Sequence, residues 1–502
     1  MPTIRKSLKK GPAPVTPAIR KMPPPLSPWE FWRQTLNSPK YILAPMVDAS
    51  ELPWRLLSRK YGTQLAYTPM MNAGIFIREP RYRKEHLESC TEDRPLIAQF
   101  CANDTDIFLK AAKMAEQHCD AIDLNLGCPQ SIARKGHYGA FLQDEWDLIS
   151  KMVKLIHREL SIPITCKVRV FPDINKSIAY AKMLEESGCY ALTVHGRTRE
   201  QKGPLTGLAS WKHIQAVKAA VNIPVIANGN IQYWADVDRC LESTGADAVM
   251  VAEGNLTNPA LFANLQPLVW DMGREYLDLV ERYPCPMSYA RGHLFKIFNH
   301  CLTLEECFPF REALVQGTNL EDFKAVVVDL EKYFTPYQKG VKTWIPPTDH
   351  PTSRLPFPPW YCQPYVRPSP EEHIKKIQLI MADEAKRKRE ENDNGDEKAE
   401  GAMSKNKMKK LAKLARNPKK QARLARQDIV MCKQCSNLPG VKCENKLCRT
   451  CCKKKCETEN LTCEGHTGTT AKRREKNQNG EHTELAEDVN ISNDISSSSV
   501  PV

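Results

Sequence analysis

A chain of 502 residues, 41% of them apolar, has material for two or three domains with a substantial core. Its net charge of +13, from 72 Lys and Arg against 59 Asp and Glu, points toward polyanionic partners. No apolar run approaches the roughly 18 residues of a membrane span, and the N-terminus lacks the apolar stretch of a secretory leader, so the expected setting is cytoplasmic or nuclear.

Residues 1–35 are expected to be a disordered, basic, proline-rich arm. The first 29 positions hold six Lys or Arg, no acid and eight prolines, too many prolines for an amphipathic presequence helix. From 41 to 254, eight short apolar or β-branched runs then alternate with stretches long enough for a helix and two turns: "YILAPM", "AYTPMM", "PLIAQF", "AIDLNLG", "PITCKVRV", "ALTVHGRT", "PVIANGNI" and "AVMVAEG". Strands buried on both faces read as such continuous runs, and parallel pairing needs a long, usually helical crossover. "DTDIFLKAAKMAEQH" and "INKSIAYAKMLEESG" supply crossovers with Asp or Asn at entry and, in the second, Gly at exit. Eight such units predict a TIM (β/α)8 barrel over residues 36–267, with a doubly wound sheet as the alternative.

Residues 268–345 carry helical apolar spacing in "YARGHLFKIFNHCL" and "NLEDFKAVVVDLEKYF" and are expected to form a small all-α domain. A proline-rich connector and a basic segment fill 346–430. Within it, positions 401–427 hold ten Lys or Arg and no acid, which suits either a solvated tail or a phosphate-binding arm. A cysteine-rich module is expected over 431–467 and a disordered polar tail over 468–502.

The active residues of a TIM barrel stand at the C-terminal ends of its strands. Read off in order, those positions hold Met46 with Asp48, Asn72, Gln99, Asn125 with Cys128, Lys167 with Arg169, His195 with Arg197, Asn228 with Gly229, and Glu253 with Gly254. Singly, each is as well explained by packing or ion pairing; their recurrence at one end of successive strands is what points to a site. The glycines in "ANGN" and "AEGN" allow close backbone approach at the two strands whose loops commonly bind phosphate in this fold. A short helix is expected to begin at "TNPALF", with Thr257 or Asn258 as its cap. Lys167 and His195, aimed at the same mouth, suit the negative charge of a reduced flavin, and Gln99 suits the edge of its ring.

The tail reads "CKQCSNLPGVKCENKLCRTCCKKKCETENLTCEGH", and it holds eight of the chain's 19 cysteines. Repeated close pairs separated by a turn let soft ligands converge on zinc. The expected set is Cys432, Cys435, Cys443, Cys448, Cys451, Cys452, Cys456 and Cys463, with His466 as a further candidate; spacing does not say which ligands share an ion. Disulfides or free thiols are the alternative, and the interleaved Lys and Arg suit RNA or protein contact.

"APMVDASELPWRLL", "NLGCPQ", "CKVRV", "TVHGRT", "PVIANGNI" and "VMVAEGNLTNPALF" together resemble the tRNA-dihydrouridine synthases, over residues 41 to about 345, most closely their eukaryotic type 1 subgroup. Many members carry Gly-Arg-Gly where this chain has Ala252, Glu253 and Gly254; backbone contacts to phosphate survive that change, and a guanidinium contact does not. The resemblance implies FMN held through Pro45, Met46 and Val47, with Gln99, Lys167 and His195 beside the ring. Asn228, Gly229, Asn230, Glu253 and Gly254 would hold the ribityl phosphate. It implies NADPH as reductant, hydride delivery to uracil C6 in tRNA, and Cys128 as the acid that protonates C5. An ordinary thiol, with pKa about 8.5, is mostly protonated near neutrality yet far more acidic than a hydroxyl.

It also implies the D-loop pair at tRNA positions 16 and 17, and a helical domain that contacts tRNA. Arg291 and the basic segment are candidates for phosphate contacts. A monomer with no membrane contact is expected. A small-molecule pyrimidine reductase and a non-catalytic RNA-binding protein on the same barrel are the alternatives.

Overall fold

The computed structural model describes residues 26–348 and 350–366, single positions at 371, 375 and 379, and residues 432–435, 443–459 and 463. The chain divides into two compact units, Met1–Lys386 and Arg387–Val502. The basic segment 401–427, His466 and the tail 468–502 lie outside the described residues.

In the first unit each of the eight apolar runs becomes a barrel strand. They are β1 (Tyr41–Leu43), β2 (Leu65–Tyr67) with its continuation β3 (Met71–Asn72), β4 (Leu96–Cys101), β5 (Ala121–Leu126), β6 (Ile164–Arg169), β7 (Leu192–His195), β8 (Val225–Asn228) and β9 (Ala248–Val251). Every pairing is parallel, and the sheet closes on itself where β1 lies between β2 and β9, with Ile42 opposite both Leu65 and Met250. β2 and β3 share β4 as partner, so they are two pieces of one interrupted strand.

Helices cover the outside: α1 (Pro28–Glu30) precedes β1, and α2 (Leu52–Lys60), α3 (Ala73–Arg78), α4 (Pro80–His86), α5 (Thr105–Ala115), α6 (Ser131–Gly136), α7 (Trp146–Glu159), α8 (Ile174–Glu186), α9 (Trp211–Ala220), α10 (Trp234–Thr244) and α11 (Glu253–Thr257) follow the strands. Asp104 is the cap the sequence names, whereas at α8 the cap is Asp173, one residue before the quoted stretch. Asp104 accepts from Ile107 N at the start of α5, and Asp173 accepts from Asn175 N at the start of α8. Outward strand residues such as Ile122, Leu124, Cys166 and Val225 form one core with the helices.

Successive strand residues face opposite ways, so the inward set is read every second position. At the lower end that set is apolar: Ile42, Ile97, Ala121, Ala191, Ile226 and Ala248. Phe31, Trp32 and Leu36 pack into it and are buried. Residues 26–35 are therefore structured, and the rest of the expected disordered arm, residues 1–25, lies outside the described residues. Ser27 and Glu30 form a capping box that starts α1, a five-residue π turn follows, and the apolar face of this segment closes the bottom of the barrel.

After the barrel come α12 (Val269–Arg282), α13 (Met287–Ile297), α14 (Asn299–Leu302), α15 (Phe308–Gln316) and α16 (Leu320–Gln338), which bury Leu277, Leu294, Phe323 and Phe334 together with Trp54 and Leu57 of α2. A buried cluster ties this layer to the barrel. Glu51 accepts from Tyr276 Oη at 2.8 Å, His293 Nε2 lies 3.1 Å from its other oxygen, and the His293 ring stacks on Trp54 at 3.9 Å. Beside it Asp93, fully buried, is gripped by Arg55 at 2.7 Å and Arg59 at 3.1 Å. The proline-rich connector has little regular structure, but it is no free linker. It runs back over the helices, burying Trp360 and Cys362, and Val269 N donates to Trp360 O.

Arg291 is half-buried and partly engaged within the chain. Its guanidinium donates to Leu314 O and Gly317 O and lies over the Phe323 ring. No helix among the described residues is long and apolar enough to cross a membrane.

The second unit has one described helix, α17 (Arg449–Thr458), whose N-cap is Cys448. Among the described residues of this unit, the buried ones are Leu447 and the cysteines 432, 443, 448, 452 and 463.

Candidate active site and cysteine centre

Toward the upper end the same inward positions turn polar. The parallel register sets Gln99 opposite Asp123, Asn125 opposite Lys167, and His195 opposite both Arg169 and Asn228. A directed chain of hydrogen bonds links Asp123, Gln99 and Asn125. Asp123, fully buried, accepts from Thr165 Oγ1 at 2.7 Å and Gln99 Nε2 at 2.8 Å. With its amide nitrogen so occupied, Gln99 turns its oxygen to Asn125 Nδ2 at 2.8 Å. Asn125 Oδ1 is then left to accept from the backbone N–H groups of Gly127 and Cys128, at 3.1 and 2.9 Å.

The strand therefore breaks at "NLGCPQ" because Asn125 captures the next backbone donors, which adds to the conformational effects of Gly127 and Pro129. Gly139 completes the turn. It has φ +65°, and a Cβ there would sit 2.8 Å from Cys128 O, so only glycine lets the following loop close on this cysteine. Cys128 is half-buried and, like Met70 and Phe141, packs against the cluster of Cys101, Ala133 and Tyr138.

The upper rim is cationic. Lys167 Nζ donates to Asn228 Oδ1 at 2.9 Å, and Asn228 Nδ2 donates to Met250 O at 2.8 Å, which fixes the direction of that amide. Burial, then the nearby Arg169, pushes Lys167 down to about 8. Arg169, lowered to about 10 by burial and then by Arg197, donates to Gly127 O, Thr198 O and Gln201 O. Arg197 holds Gly207 O and Asn230 Oδ1, and its NH1 lies 3.2 Å from His195 Nε2. A guanidinium only donates, so His195 Nε2 accepts and its proton sits on Nδ1. Burial and the neighbouring Lys167, Arg169 and Arg197 hold this imidazole neutral, well below the usual histidine range.

Of the residues singled out in the sequence, the structure brings Gln99, Asn125, Lys167, His195, Arg197, Asn228 and Asn230 into this linked set, with Cys128 within electrostatic reach of Lys167 and Arg169. Pro45, Met46 and Val47 follow β1, where Met46 N donates to Ser50 Oγ and Val47 is exposed. Gly229, at φ +115°, passes so close that a Cβ would meet Ala209 Cβ at 2.6 Å and the His195 ring at 3.3 Å. Glu253 and Gly254 open α11 directly after β9, and a Cβ on Gly254 would meet Ile231 O at 2.5 Å.

The helix expected from "TNPALF" starts earlier than Thr257 or Asn258. It spans Glu253–Thr257 with Ala252 at its N-cap, and Asn258 instead bridges the turn beyond it, accepting from Ala260 N and donating to Leu265 O. Sequence reasoning missed Asp123 and Gly139. The signal for Asp123 was on the page, as a carboxylate two residues before Asn125 inside an apolar strand.

The chemistry of this donor set fits FMN. Three cations and a neutral imidazole face one mouth, glycines hug the loops after β8 and β9, and the buried acid lies below the rim, hydrogen-bonded.

In the second unit the sulfurs form two groups. Those of Cys432, Cys435, Cys448 and Cys451 lie within 4.8 Å of one another, as do those of Cys443, Cys452 and Cys463. None of these cysteines is in a disulfide.

Residues 42–329 match the dihydrouridine synthase family. A mouse protein named as a tRNA-dihydrouridine(16/17) synthase-like protein is 50% identical over 450 residues, covering 88% of this chain and 90% of the mouse one. A fission-yeast tRNA-dihydrouridine(16/17) synthase is 43% identical over 363 residues, covering 66% of this chain and 89% of its own. A human tRNA-dihydrouridine(20a/20b) synthase-like protein is 37% identical over 251 residues, covering 49% and 78%. With a closed parallel barrel whose upper rim carries this cationic set around a loop cysteine, and with relatives of that name along most of its length, the chain belongs to the dihydrouridine synthase family.

Proposed function

We propose that this chain reduces the C5–C6 double bond of uridine in tRNA, at the positions 16 and 17 that its relatives' names carry, using FMN and NADPH. The observation that supports this most is the placement of Cys128: on the loop after β5, pinned through Asn125, at the same mouth as Lys167 and His195. FMN, when bound, supplies hydride to uracil C6 and is replenished by NADPH.

Cys128 holds the proton that C5 gains and releases it as its S–H bond breaks. Lys167 places positive charge beside the ring, Gln99 offers its remaining amide hydrogen to the ring edge, and neutral His195 offers Nδ1–H as a donor without adding charge. Asn228, Gly229, Asn230, Glu253 and Gly254 line the phosphate end, and Pro45, Met46 and Val47 the opposite edge. A uridine in folded tRNA must be turned out of its stack to reach a barrel mouth, so surface beyond the barrel has to grip the backbone; the helical layer is the part of the first unit available for it.

The cysteine-rich segment, in this reading, binds zinc. Tetrahedral coordination with Zn–S of about 2.3 Å sets sulfurs about 3.8 Å apart. Cys435 lies 3.5 Å from both Cys448 and Cys451, and Cys463 lies 3.9 Å from Cys443, all far beyond the roughly 2.05 Å of a disulfide.

The test uses the purified full chain. Flavin absorbance and NADPH-dependent loss of uridine from tRNA are expected, and Cys128→Ala should lower turnover about 10²- to 10⁴-fold with flavin content unchanged. Absence of flavin, or reduction of free uracil but not tRNA, would overturn the reading; full activity of Cys128→Ala would remove Cys128 as the acid.

A further inference from the structure

We propose that the cysteine-rich segment holds two zinc ions in an interleaved arrangement, the first on Cys432, Cys435, Cys448 and Cys451, the second on Cys443, Cys452, Cys456 and Cys463. The proposal rests on the zinc reading above and adds the partition of ligands, which spacing alone leaves open.

The first set is complete as it stands, with four sulfurs mutually within 4.8 Å. The second has three such sulfurs, and helix geometry supplies the fourth. At 3.6 residues per turn, Cys451 and Cys452 point roughly 100° apart on α17, and Cys456, four residues past Cys452, shares the side of Cys452, while Cys448 at the N-cap joins Cys451. Cys456 Sγ stands 3.9 Å from Cys452 Sγ, the spacing of two ligands on one ion. The thiolates of the second set already have donors. Leu447 N points at Cys443 Sγ at 3.4 Å, and Asn445 Nδ2 points at Cys452 Sγ at 3.5 Å. N–H groups aimed at sulfur are the outer contacts that orient metal ligands and stabilise their charge.

In chain order the ligands alternate between ions: two to the first, one to the second, two to the first, three to the second. Each ion therefore closes a loop that contains ligands of the other. Cys451 and Cys452 are neighbours on one helix and serve different ions, so filling either site fixes the helix that presents half of the other. The two ions are taken up together.

Elemental analysis of the full chain, with barrel melting as a folding control, is expected to give two zinc per chain. Stepwise removal with a chelator should release both in one phase. Cys432→Ser and Cys443→Ser, which strike different ions, should each weaken retention of both. Cobalt-substituted wild type provides a readout that does not depend on a variant folding, and its spectrum should be that of two all-thiolate tetrahedral sites. Zero zinc overturns the zinc reading itself. One zinc per chain, insensitive to Cys443→Ser, leaves that reading standing and overturns the second site. Two zinc retained in Cys456→Ser but lost in His466→Ala, with a mixed sulfur and nitrogen cobalt spectrum, overturns Cys456 as ligand.

Discussion

The barrel mouth and the cysteine module both gather reactive side chains, but they are held in opposite ways. At the mouth every group is positioned by something outside the chemistry: the strand register, the buried Asp123 below, and a core of aliphatic residues between strands and helices. Among the described residues of the module the buried ones are nearly all cysteines, with Leu447 the one aliphatic. A core of that kind gains little from burial, so in the zinc reading proposed above metal ligation supplies the folding free energy. The mouth is a site built on a fold; the module is a fold built on its site.

The sharpest way to break that contrast is chelation. In the zinc reading, removing the metal should unfold the module, since structural zinc contributes about 10–16 kcal/mol in zinc-finger peptides, and circular dichroism should report loss of α17 while the barrel melts where it did before. A shift in barrel melting would mean that the two regions are not independently held. Next in size is Asp93→Ala. It leaves Arg55, itself buried, and Arg59 without their shared carboxylate and should cost about 3–5 kcal/mol in denaturant unfolding of the first unit, with zinc content unchanged.

Smaller, and specific to the mouth, is Asp123→Leu. It leaves Gln99 Nε2 and Thr165 Oγ1 without an acceptor, at about 1–3 kcal/mol each, and frees the amide chain that pins Cys128. Turnover should fall with KM for tRNA unchanged, and Asp123→Asn, which keeps an acceptor oxygen, should restore it. An Asn variant as impaired as Leu would show that charge rather than orientation matters. The smallest effect is on pH. Lys167, pushed down to about 8, is fully charged below that value and loses its proton above it. Affinity of the flavin-free protein for FMN should be flat below pH 7 and fall above about 8, by no more than tenfold per pH unit, the limit for one proton. Lys167→Met should bind more weakly and lose the slope.

How much was legible differs between the regions for the same reason. The barrel announces itself because each strand buried on both faces must be a continuous apolar run, and eight of them at even spacing leave few topologies. The rim residues follow once the strand ends are known. What could not be read were contacts between strands: Asp123 looks like an intruder until the register puts it under Gln99, and Gly139 has no meaning until its loop meets Cys128 O. Likewise Phe31 and Trp32 sit among prolines and lysines, and nothing local says that a barrel floor is waiting for them. Arg291 is a related case, since a lone cation on a helix gives no sign that nearby carbonyls will take some of its donors. In the module the spacing draws attention to the cysteines, and their division into two sulfur groups is visible only in the structure.

The seam between β1 and β9 gives the molecule a history as well as a shape. Tyr41 pairs with Val249, so the first strand made has to wait for the last. At about 5–20 residues per second, a ribosome takes on the order of ten seconds or more to supply the intervening chain. During that interval β1 has an open edge, and Phe31 and Trp32 lack the late partners Ala248 and Met250 that will cover them. An unpaired edge beside two exposed aromatic rings is a surface that chaperones hold and aggregates recruit. The demand on the cell's folding machinery is therefore set at the start of the chain and discharged only when the barrel is nearly complete.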